Sequence, residues 1–126
     1  MKIGKLPESV LIRSVLKEVG HRRPEVLVGP AVGQDCAVLE AKEGEVLVFS
    51  TDPITGTTKD IGSHSVHITA NDLAASGAEP VGIMITILLT PDTDEAELKD
   101  MMRGVEKTCQ ELNIEVMGGH TEITDV

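Results

Sequence analysis

Residues 71–80 read Asn-Asp-Leu-Ala-Ala-Ser-Gly-Ala-Glu-Pro, and this stretch carries the most information about the fold. It ends a segment, 61–78, whose apolar spacing predicts a helix. Because small residues fill positions 74–78, another backbone is expected to approach closely there. Asn71 and Asp72 stand beside this run, and polar groups that become buried need hydrogen-bond partners, a counter-charge or a metal. The stretch therefore predicts a packed helix end with a candidate functional carboxylate.

The rest of the chain predicts an α-β-β-α-β-α-β order of elements. Apolar periodicity predicts helices over 7–20, 61–78 and 94–112, the last with Asp94 or Thr93 as its N-cap. Runs rich in β-branched residues predict strands over 36–41, 45–51 and 81–89, and a last strand over 114–117 that Gly118-Gly119 breaks. The first two strands are expected to pair as a hairpin, with 46–49 covered on both faces. This order predicts one α+β domain over 1–126, with helices layered on a mixed sheet.

Composition narrows the classes of function. The 126 residues carry 11 Lys and Arg against 21 Asp and Glu, a net charge of −10, which argues against binding to nucleic acid or to anionic membranes. Phe49 is the only aromatic residue, and the longest apolar run, 81–89, is too short to span a bilayer. The two cysteines, Cys36 and Cys109, are expected to be core residues, and their number and spacing do not indicate a disulfide framework. A cytoplasmic location is therefore expected.

Two carboxylates stand at predicted strand ends. Asp35 opens the first strand of the expected hairpin and Asp52 closes the second, so both are expected at the same end of the sheet. Taken singly, an Asp at such a position is more often a turn residue. Two neighbouring carboxylates, however, repel each other unless a cation lies between them, and hard oxygen ligands suit Mg²⁺. The pair therefore predicts a magnesium site.

Other polar segments leave alternatives open. The loop 55–58 offers hydroxyls and backbone N–H groups just before a predicted helix start, which suits phosphate. Gly118-Gly119 is by itself more typical of a bend than of a ligand loop. His64 and His67 share a helix face, which fits either a transition-metal pair or a solvated stripe, and the stripe is favoured because no third ligand has suitable spacing. His120 fits either a phosphate contact or a strand end.

Five pieces of sequence, taken in order, resemble the aminoimidazole ribonucleotide (AIR) synthase superfamily, whose fold is also called PurM-like. They are Gly33-Gln34-Asp35-Cys36-Ala37-Val38-Leu39, Thr51-Asp52, Asp60-Ile61-Gly62, residues 71–80 and Gly118-Gly119-His120-Thr121. The resemblance spans about residues 33–122 and is nearest to HypE-like and AIR synthase-related proteins. It implies the N-terminal, ATP-binding half of a two-domain enzyme that dimerises through its sheets.

The resemblance also implies a chemistry and a set of site residues. The family uses Mg-ATP to phosphorylate an oxygen, which is of amide type in the AIR synthase and HypE branches. By similarity, Asp35, Asp52 and Asp72 would hold Mg²⁺ and the triphosphate, with Asn71 as a polar neighbour. The contacts implied for phosphate or acceptor are Thr55, Gly56, Thr57, Thr58, Gly118, Gly119, His120 and Thr121.

Two departures from the family pattern keep a second interpretation open. Gln34 stands where many members have the first Asp of Gly-Asp-Asp, and His120 stands where AIR synthases usually have Glu and thiamine-monophosphate kinases Asp. The alternative is a non-catalytic dimerisation or regulatory module that keeps the fold. A transition-metal domain using His64, His67 and either His120 or Cys36 ranks lower.

Overall fold

Helices pack against a mixed sheet in the computed structural model, which describes residues 1–55 and 59–125. The strands are β1 (Gly4–Lys5), β2 (Val26–Val28), β3 (Val38–Leu39), β4 (Gly82–Leu89) and β5 (Glu115–Ile123). The helices are α1 (Glu8–Leu11), which continues as a π-helical turn over Ile12–Leu16, α2 (Ile61–Ala75) and α3 (Glu95–Leu112). Within the described ranges, none of these helices has the length and apolarity needed to cross a membrane.

The sheet has β5 at its centre, antiparallel to β1 and parallel to β4, while β2 and β3 form a separate antiparallel pair. Parallel pairing of β4 and β5 requires a crossover, and α3 supplies it. Along β4, Ile87 and Leu89 are buried, whereas Met84 and Leu88 are exposed. One face of the sheet thus meets the helices, and the predicted α+β fold with a mixed sheet is confirmed.

Helix α3 anchors the core. Its stripe of Leu98, Met102, Val105 and Cys109 is almost fully buried against α2 and the sheet. The helix begins at a capping box in which the Asp94 side chain accepts from the Glu97 backbone N–H and the Glu97 side chain accepts from that of Asp94, each at 2.9 Å. Both the stripe and the cap agree with the sequence prediction. Cys109 lies in the core as expected, but Cys36 is exposed, contrary to expectation.

The close approach of two backbones occurs at the start of α2 rather than at its end. A Cβ on Gly62 would overlap the Met101 carbonyl oxygen of α3, so only glycine permits this crossing. The small residues 74–77 are exposed instead, so the prediction that they pack closely is wrong for this chain. Their local role is to end the helix: Gly77 has φ +80°, its N–H donates to the Ala74 carbonyl, and the Ala78 N–H donates to that of Leu73. This is the Schellman arrangement, which favours glycine at that position.

The predicted hairpin over 36–41 and 45–51 does not form. Only Val38 and Leu39 are in a strand there, and they pair with β2. Residues 45–51 make no strand, and Val46 and Phe49 are 85% and 79% exposed. The apolar pattern is typical of a strand covered on both faces, but a strand also needs backbone pairing with a neighbour, and this segment pairs with neither β3 nor the edge strand β4. Within the described residues this segment is left uncovered.

Strand β5 runs through Gly118-Gly119 instead of stopping there, which corrects the expected break. Ile83 pairs with Val116 and Met84 with Gly118, so Met117 is an extra residue in the register, as in a β-bulge. A Cβ on Gly119 would overlap the backbone of Ile85 on the neighbouring strand. The glycines therefore allow β4 and β5 to approach closely, and they carry the strand on to His120 and Thr121.

Candidate functional site

Two of the predicted carboxylates meet at the end of the 45–51 segment. Asp52 and Asp72 lie close enough for their carboxyl groups to share a hydrogen bond. The Ser50 hydroxyl donates to Oδ2 of Asp72 at 2.9 Å. Helix α2 positions Asp72 in its last turn, and the chain before Pro53 brings Ser50 and Asp52 alongside it. The structure thus joins two residues that are 20 positions apart in the sequence.

The electrostatics of this pair favour a cation. The hydrogen bond with Asp72, together with the negative charge of that neighbour, raises the pKa of Asp52 above its usual value. Both residues are exposed, so a cation could reach them from solvent. Paired carboxylate oxygens beside a hydroxyl are hard ligands of the kind that Mg²⁺ uses while keeping several of its waters. The arrangement is suited to such an ion.

Asp35, the third predicted metal ligand, lines a different part of the surface. It borders a cavity of about 220 Å³, the inner cavity, together with Gly118, Gly119, His120 and Thr121. Asp52 borders a larger cavity of about 1150 Å³, the outer cavity, whose walls include Val46–Thr55, α2 and β4. Among residues 1–55 and 59–125, no three His, Cys, Asp or Glu side chains form a group that could hold a metal. The assignment of all three aspartates to Mg²⁺ stays a prediction.

The other predicted contacts divide between the two cavities. Thr55 is exposed on the outer cavity, whereas Gly56, Thr57 and Thr58 lie outside the described residues. Asn71 is exposed on α2, not buried as expected. His120 borders the inner cavity, and its Nε2 lies 3.1 Å from Oε2 of Glu122. His120 is paired with Thr86 of β4, so this contact runs along β5 between residues two positions apart.

The residues of the transition-metal interpretation do not gather. His64 is exposed on α2, and its Nδ1 lies 3.0 Å from the Asp60 carbonyl oxygen of the preceding turn. His67 is exposed on the same helix, while His120 is on β5 and the exposed Cys36 lies in the loop before β3. In the described part of the chain, these four side chains form no metal-binding cluster.

Two contributors were not identified from the sequence. Ser50 directly precedes Thr51-Asp52, and its place at the end of an apolar run was the available signal. Arg23 is buried, and it pairs with Glu25 at 2.7 Å and with Glu79 at 3.2 Å, while its Nη1 donates to the Asn113 carbonyl at 3.0 Å. It thus ties the end of the 71–80 stretch to the end of α3. In the sequence Arg23 is one of two adjacent arginines in a polar loop, and nothing in that pattern indicates its role.

Comparison with known proteins adds to this geometry. Residues 33–126 match the family model described as AIR synthase related protein, N-terminal domain. Thiamine-monophosphate kinase of Escherichia coli (strain K12) is 29% identical over 122 residues, which cover 90% of this chain and 37% of that protein. Carbamoyl dehydratase HypE of Cupriavidus necator is 30% identical over 98 residues, covering 74% of this chain and 28% of that protein.

A solved structure shares the fold. The crystal structure of hydrogenase maturation protein HypE in complex with ATP superposes with a TM-score of 0.67 at 22% identity, over 92% of this chain and 34% of that one. The chain therefore spans about a third of the length of the proteins it matches. At this identity the superposition establishes the fold, which agrees with the sheet and helices described above.

Proposed function

The chain belongs to the AIR synthase related protein family, and on that premise we propose that it binds Mg-ATP as the N-terminal domain of an enzyme that phosphorylates an amide-type or similar oxygen. The observation that carries the proposal is the Asp52–Asp72 pair with Ser50 beside it. Two carboxyl groups this close disfavour each other's ionisation, which raises the pKa of Asp52, and a bound cation would relieve that repulsion. The named activities of the two relatives, a kinase and a dehydratase, support a shared use of ATP.

The candidate site residues would have different roles in such a reaction. Asp52 and Asp72 would hold Mg²⁺, which when bound neutralises charge on the phosphates. Gly118, Gly119, His120 and Thr121 would orient phosphate or acceptor at the mouth of the inner cavity, next to Asp35. The acceptor oxygen forms a bond to the γ-phosphorus as the bond to the β,γ-bridging oxygen breaks, and ADP leaves. The chain's part in this scheme is positioning and charge compensation, which phosphoryl transfer depends on.

A homodimer is part of the proposal. Strand β4 lies at the edge of its sheet, and its exposed Met84 and Leu88 face the outer cavity together with the uncovered residues 46–49. We call these six residues the apolar strip: Val46, Leu47, Val48, Phe49, Met84 and Leu88. A large exposed apolar patch marks an interaction surface, and an unpaired strand edge can pair with another chain. A second copy that brings its own strip would cover both.

Further domains and the location follow as part of the same proposal. Since the relatives are about three times longer, we place further acceptor contacts and the closure of the site on a second domain of a longer protein. This chain alone would then bind the nucleotide weakly and turn over slowly. Its free cysteines agree with a cytoplasmic location, where thiols stay reduced.

A second candidate function is favoured by Gln34. Its side-chain amide donates to the Cys36 carbonyl at 2.7 Å, so the residue that replaces a family carboxylate is used to hold its own loop. A site that has lost one metal ligand in this way would fit a dimerisation or regulatory module without chemistry. The two candidates differ in whether the chain binds nucleotide.

Calorimetric titration separates them. We expect Mg-ATP to bind the chain, ATP with excess EDTA to bind much more weakly, and Asp52→Asn to weaken Mg-ATP by about 10–100-fold, the range typical of altered metal sites. Asp100→Asn, an exposed carboxylate on α3, is the matched control and should bind as the unaltered chain does. No heat at millimolar Mg-ATP from a folded, dimeric chain would contradict the proposal and favour the module.

A further inference from the structure

The inner cavity has two chemically different parts. Its mouth is formed by exposed polar residues, among them Lys5, Gln34, Asp35 and His120. Its depth is formed by residues of the hydrophobic core, which come from the first helical segment, the sheet and α3. The buried apolar residues that line it are Leu6, which follows β1, and Val15, Val19, Ile87, Met102 and Val116. The cavity is thus an opening into the core directly below the 118–121 segment.

The chemistry of the deep wall restricts what can occupy it. Among its buried lining residues, Thr121 is the polar one, and it belongs to the mouth segment. A purine ring placed there would bury several ring nitrogens with one hydroxyl to satisfy them, and unsatisfied buried polar atoms are costly. A hydrocarbon group carries no such cost, because it replaces water against aliphatic side chains.

The size of the cavity restricts the occupant further. A volume of 220 Å³ is below the roughly 300 Å³ at which pockets for drug-sized ligands begin. Apolar cavities of about 150 Å³ admit a benzene ring in other proteins. The occupant is therefore compact, of the order of one aromatic ring or one branched aliphatic chain.

The mouth favours a polar end on the same molecule. Lys5 presents an ammonium group there, and the ion pairs found among residues 1–55 and 59–125 do not include it. The His120 imidazole lies beside it, whereas the backbone of 118–121 pairs with β4. The ammonium and imidazole donors suit a carbonyl oxygen or an anion, while Asp35 disfavours a second negative charge.

From these features we infer that the inner cavity binds the non-reacting end of the acceptor. The acceptor is then an amide or a similar carbonyl compound that carries one compact apolar group, with its oxygen held at the mouth and its hydrocarbon part in the core opening. The inference rests on the proposed function, because only that function makes the bound compound an acceptor. The binding of such a compound can be measured without ATP. The inference assigns Leu16 and Lys5, which line the cavity, a role in specificity.

Two small amides test the inference on the full chain. Phenylacetamide has the expected ring and carbonyl, and acetamide has the carbonyl alone. In proton–nitrogen correlation spectra, phenylacetamide should shift the amide signals of Gly118–Thr121, and its ring protons should give nuclear Overhauser contacts to the methyl groups of Val15 and Val116. Acetamide at the same concentration should bind at least about tenfold more weakly.

A cavity-filling variant provides the matched comparison. Leu16→Trp places a large side chain in the cavity from a half-buried position, and it should weaken phenylacetamide at least about tenfold. Ile12→Trp, on the same π-helical turn but outside the cavity lining, should leave phenylacetamide binding unchanged. Should Leu16→Trp fail to fold, the Overhauser contacts in the unaltered chain decide the question alone.

The outcomes separate this inference from the proposed function. Mg-ATP binding with no phenylacetamide binding, or with contacts away from Val15 and Val116, overturns the inference and leaves the proposed function standing. Displacement of phenylacetamide by adenosine, with the purine protons contacting the same methyl groups, overturns it in favour of a nucleotide base. Phenylacetamide binding at these methyl groups without any Mg-ATP binding overturns the assignment of the occupant as an acceptor.

Discussion

At the scale of single residues, the two cysteines differ sharply in their surroundings. Cys109 lies in the core stripe of α3, and burial, assisted by the negative charge of Glu106, raises the pKa of its thiol to about 12. Cys36 is exposed in the loop between Asp35 and β3. Because the thiolate is the reactive form, the raised pKa and the burial of Cys109 both suppress its reaction, whereas the Cys36 thiol is accessible.

We therefore expect Ellman's reagent at pH 8 to titrate one thiol in the folded chain and two in guanidinium chloride. Cys36→Ser should abolish the reaction of the folded chain, since the Cys109 thiol stays protonated far above pH 8. Cys109→Ser is the complementary variant and should keep the fast reaction of Cys36. Rapid modification of Cys109 in a folded chain would contradict its placement in the core.

The candidate site could be predicted residue by residue but not as an arrangement. Asp35, Asp52 and Asp72 were each named from the sequence, but strand-end reasoning paired Asp52 with Asp35, and only the family resemblance grouped Asp72 with them. In the structure the neighbour of Asp52 is Asp72, because the hairpin that would have joined Asp35 and Asp52 is absent. Spacing along a chain gives contacts within one helix or hairpin, whereas the Asp52–Asp72 contact joins a loop to a distant helix end.

At the scale of elements, the crossing of α2 and α3 offers two glycines with opposite requirements. Gly62 has no room for a Cβ against the Met101 carbonyl oxygen, whereas a Cβ on Gly104 would lie 3.5 Å from the Ser63 backbone nitrogen, an ordinary contact. Gly62→Ala should thus lower the free energy of unfolding by about 1–3 kcal/mol through forced displacement of the helices. Gly104→Ala should raise it by up to about 1 kcal/mol, because alanine favours a helix interior.

Urea unfolding of both variants, followed by circular dichroism, measures the difference. Because both positions lie at the same helix crossing, the comparison isolates the room available to one methyl group. Equal destabilisation by the two substitutions would show that the crossing tolerates neither, and would contradict the Gly62 contact as the point of closest approach.

The first turn of α3 predicts a dependence on pH. Hydrogen bonds from Arg13 at 2.6 and 2.7 Å, then from Ser14 at 2.8 Å, lower the pKa of Glu95 to about 2. A carboxyl group with a lowered folded pKa stabilises the fold above its unfolded pKa, near 4.5, and that contribution is lost as the pH falls towards 2. Glu95→Gln should accordingly lower the melting temperature at pH 7, and the difference from the unaltered chain should shrink between about pH 4.5 and 2.

Thermal melts at pH 7, 4 and 2.5 check this expectation. Glu111→Gln, an exposed carboxylate on the same helix, is the control and should give nearly the same melting temperature as the unaltered chain at each pH. A Glu95→Gln difference that stays constant from pH 7 to 2.5 would mean that the charge of Glu95 contributes nothing.

The elements themselves were predictable where their signals are local. Helix α3 combines an apolar stripe with a capping box, and both lie within the helix, so its bounds were predicted to within one residue. The segment 45–51 has an equally clear apolar pattern, yet it forms no strand, because pairing depends on a partner strand that the pattern itself does not specify. Strand β5 continues through Gly118-Gly119 because β4 and β5 approach too closely at Gly119 for a Cβ atom. Sequence periodicity gives no information about such a distance between strands.

At the scale of the whole molecule, the least favourable feature is the exposure of the apolar strip to water. Phe49 is 79% exposed, and Met84 and Leu88 are 58% and 62% exposed on the edge strand. Burial of these side chains by a second copy would stabilise the dimer by roughly 25 cal/mol per Å² of apolar surface removed from water. The net charge of −10 opposes association over long distances, and salt screens that repulsion.

The proposed homodimer therefore has a defined signature in sedimentation equilibrium. We expect the chain to dimerise, with an affinity that increases from 20 to 300 mM NaCl because screening weakens the charge repulsion while apolar contact persists. The double variant Phe49→Asp and Leu88→Asp should weaken the dimer at least about tenfold by placing charges in the contact. Its fold should persist, because both side chains are already exposed in the single chain. Ile3→Asp, at an exposed apolar residue outside the strip, controls for the added charge and should dimerise nearly as the unaltered chain does. A monomer at all concentrations, or a dimer indifferent to the double variant, would show that something other than a second copy covers this strip.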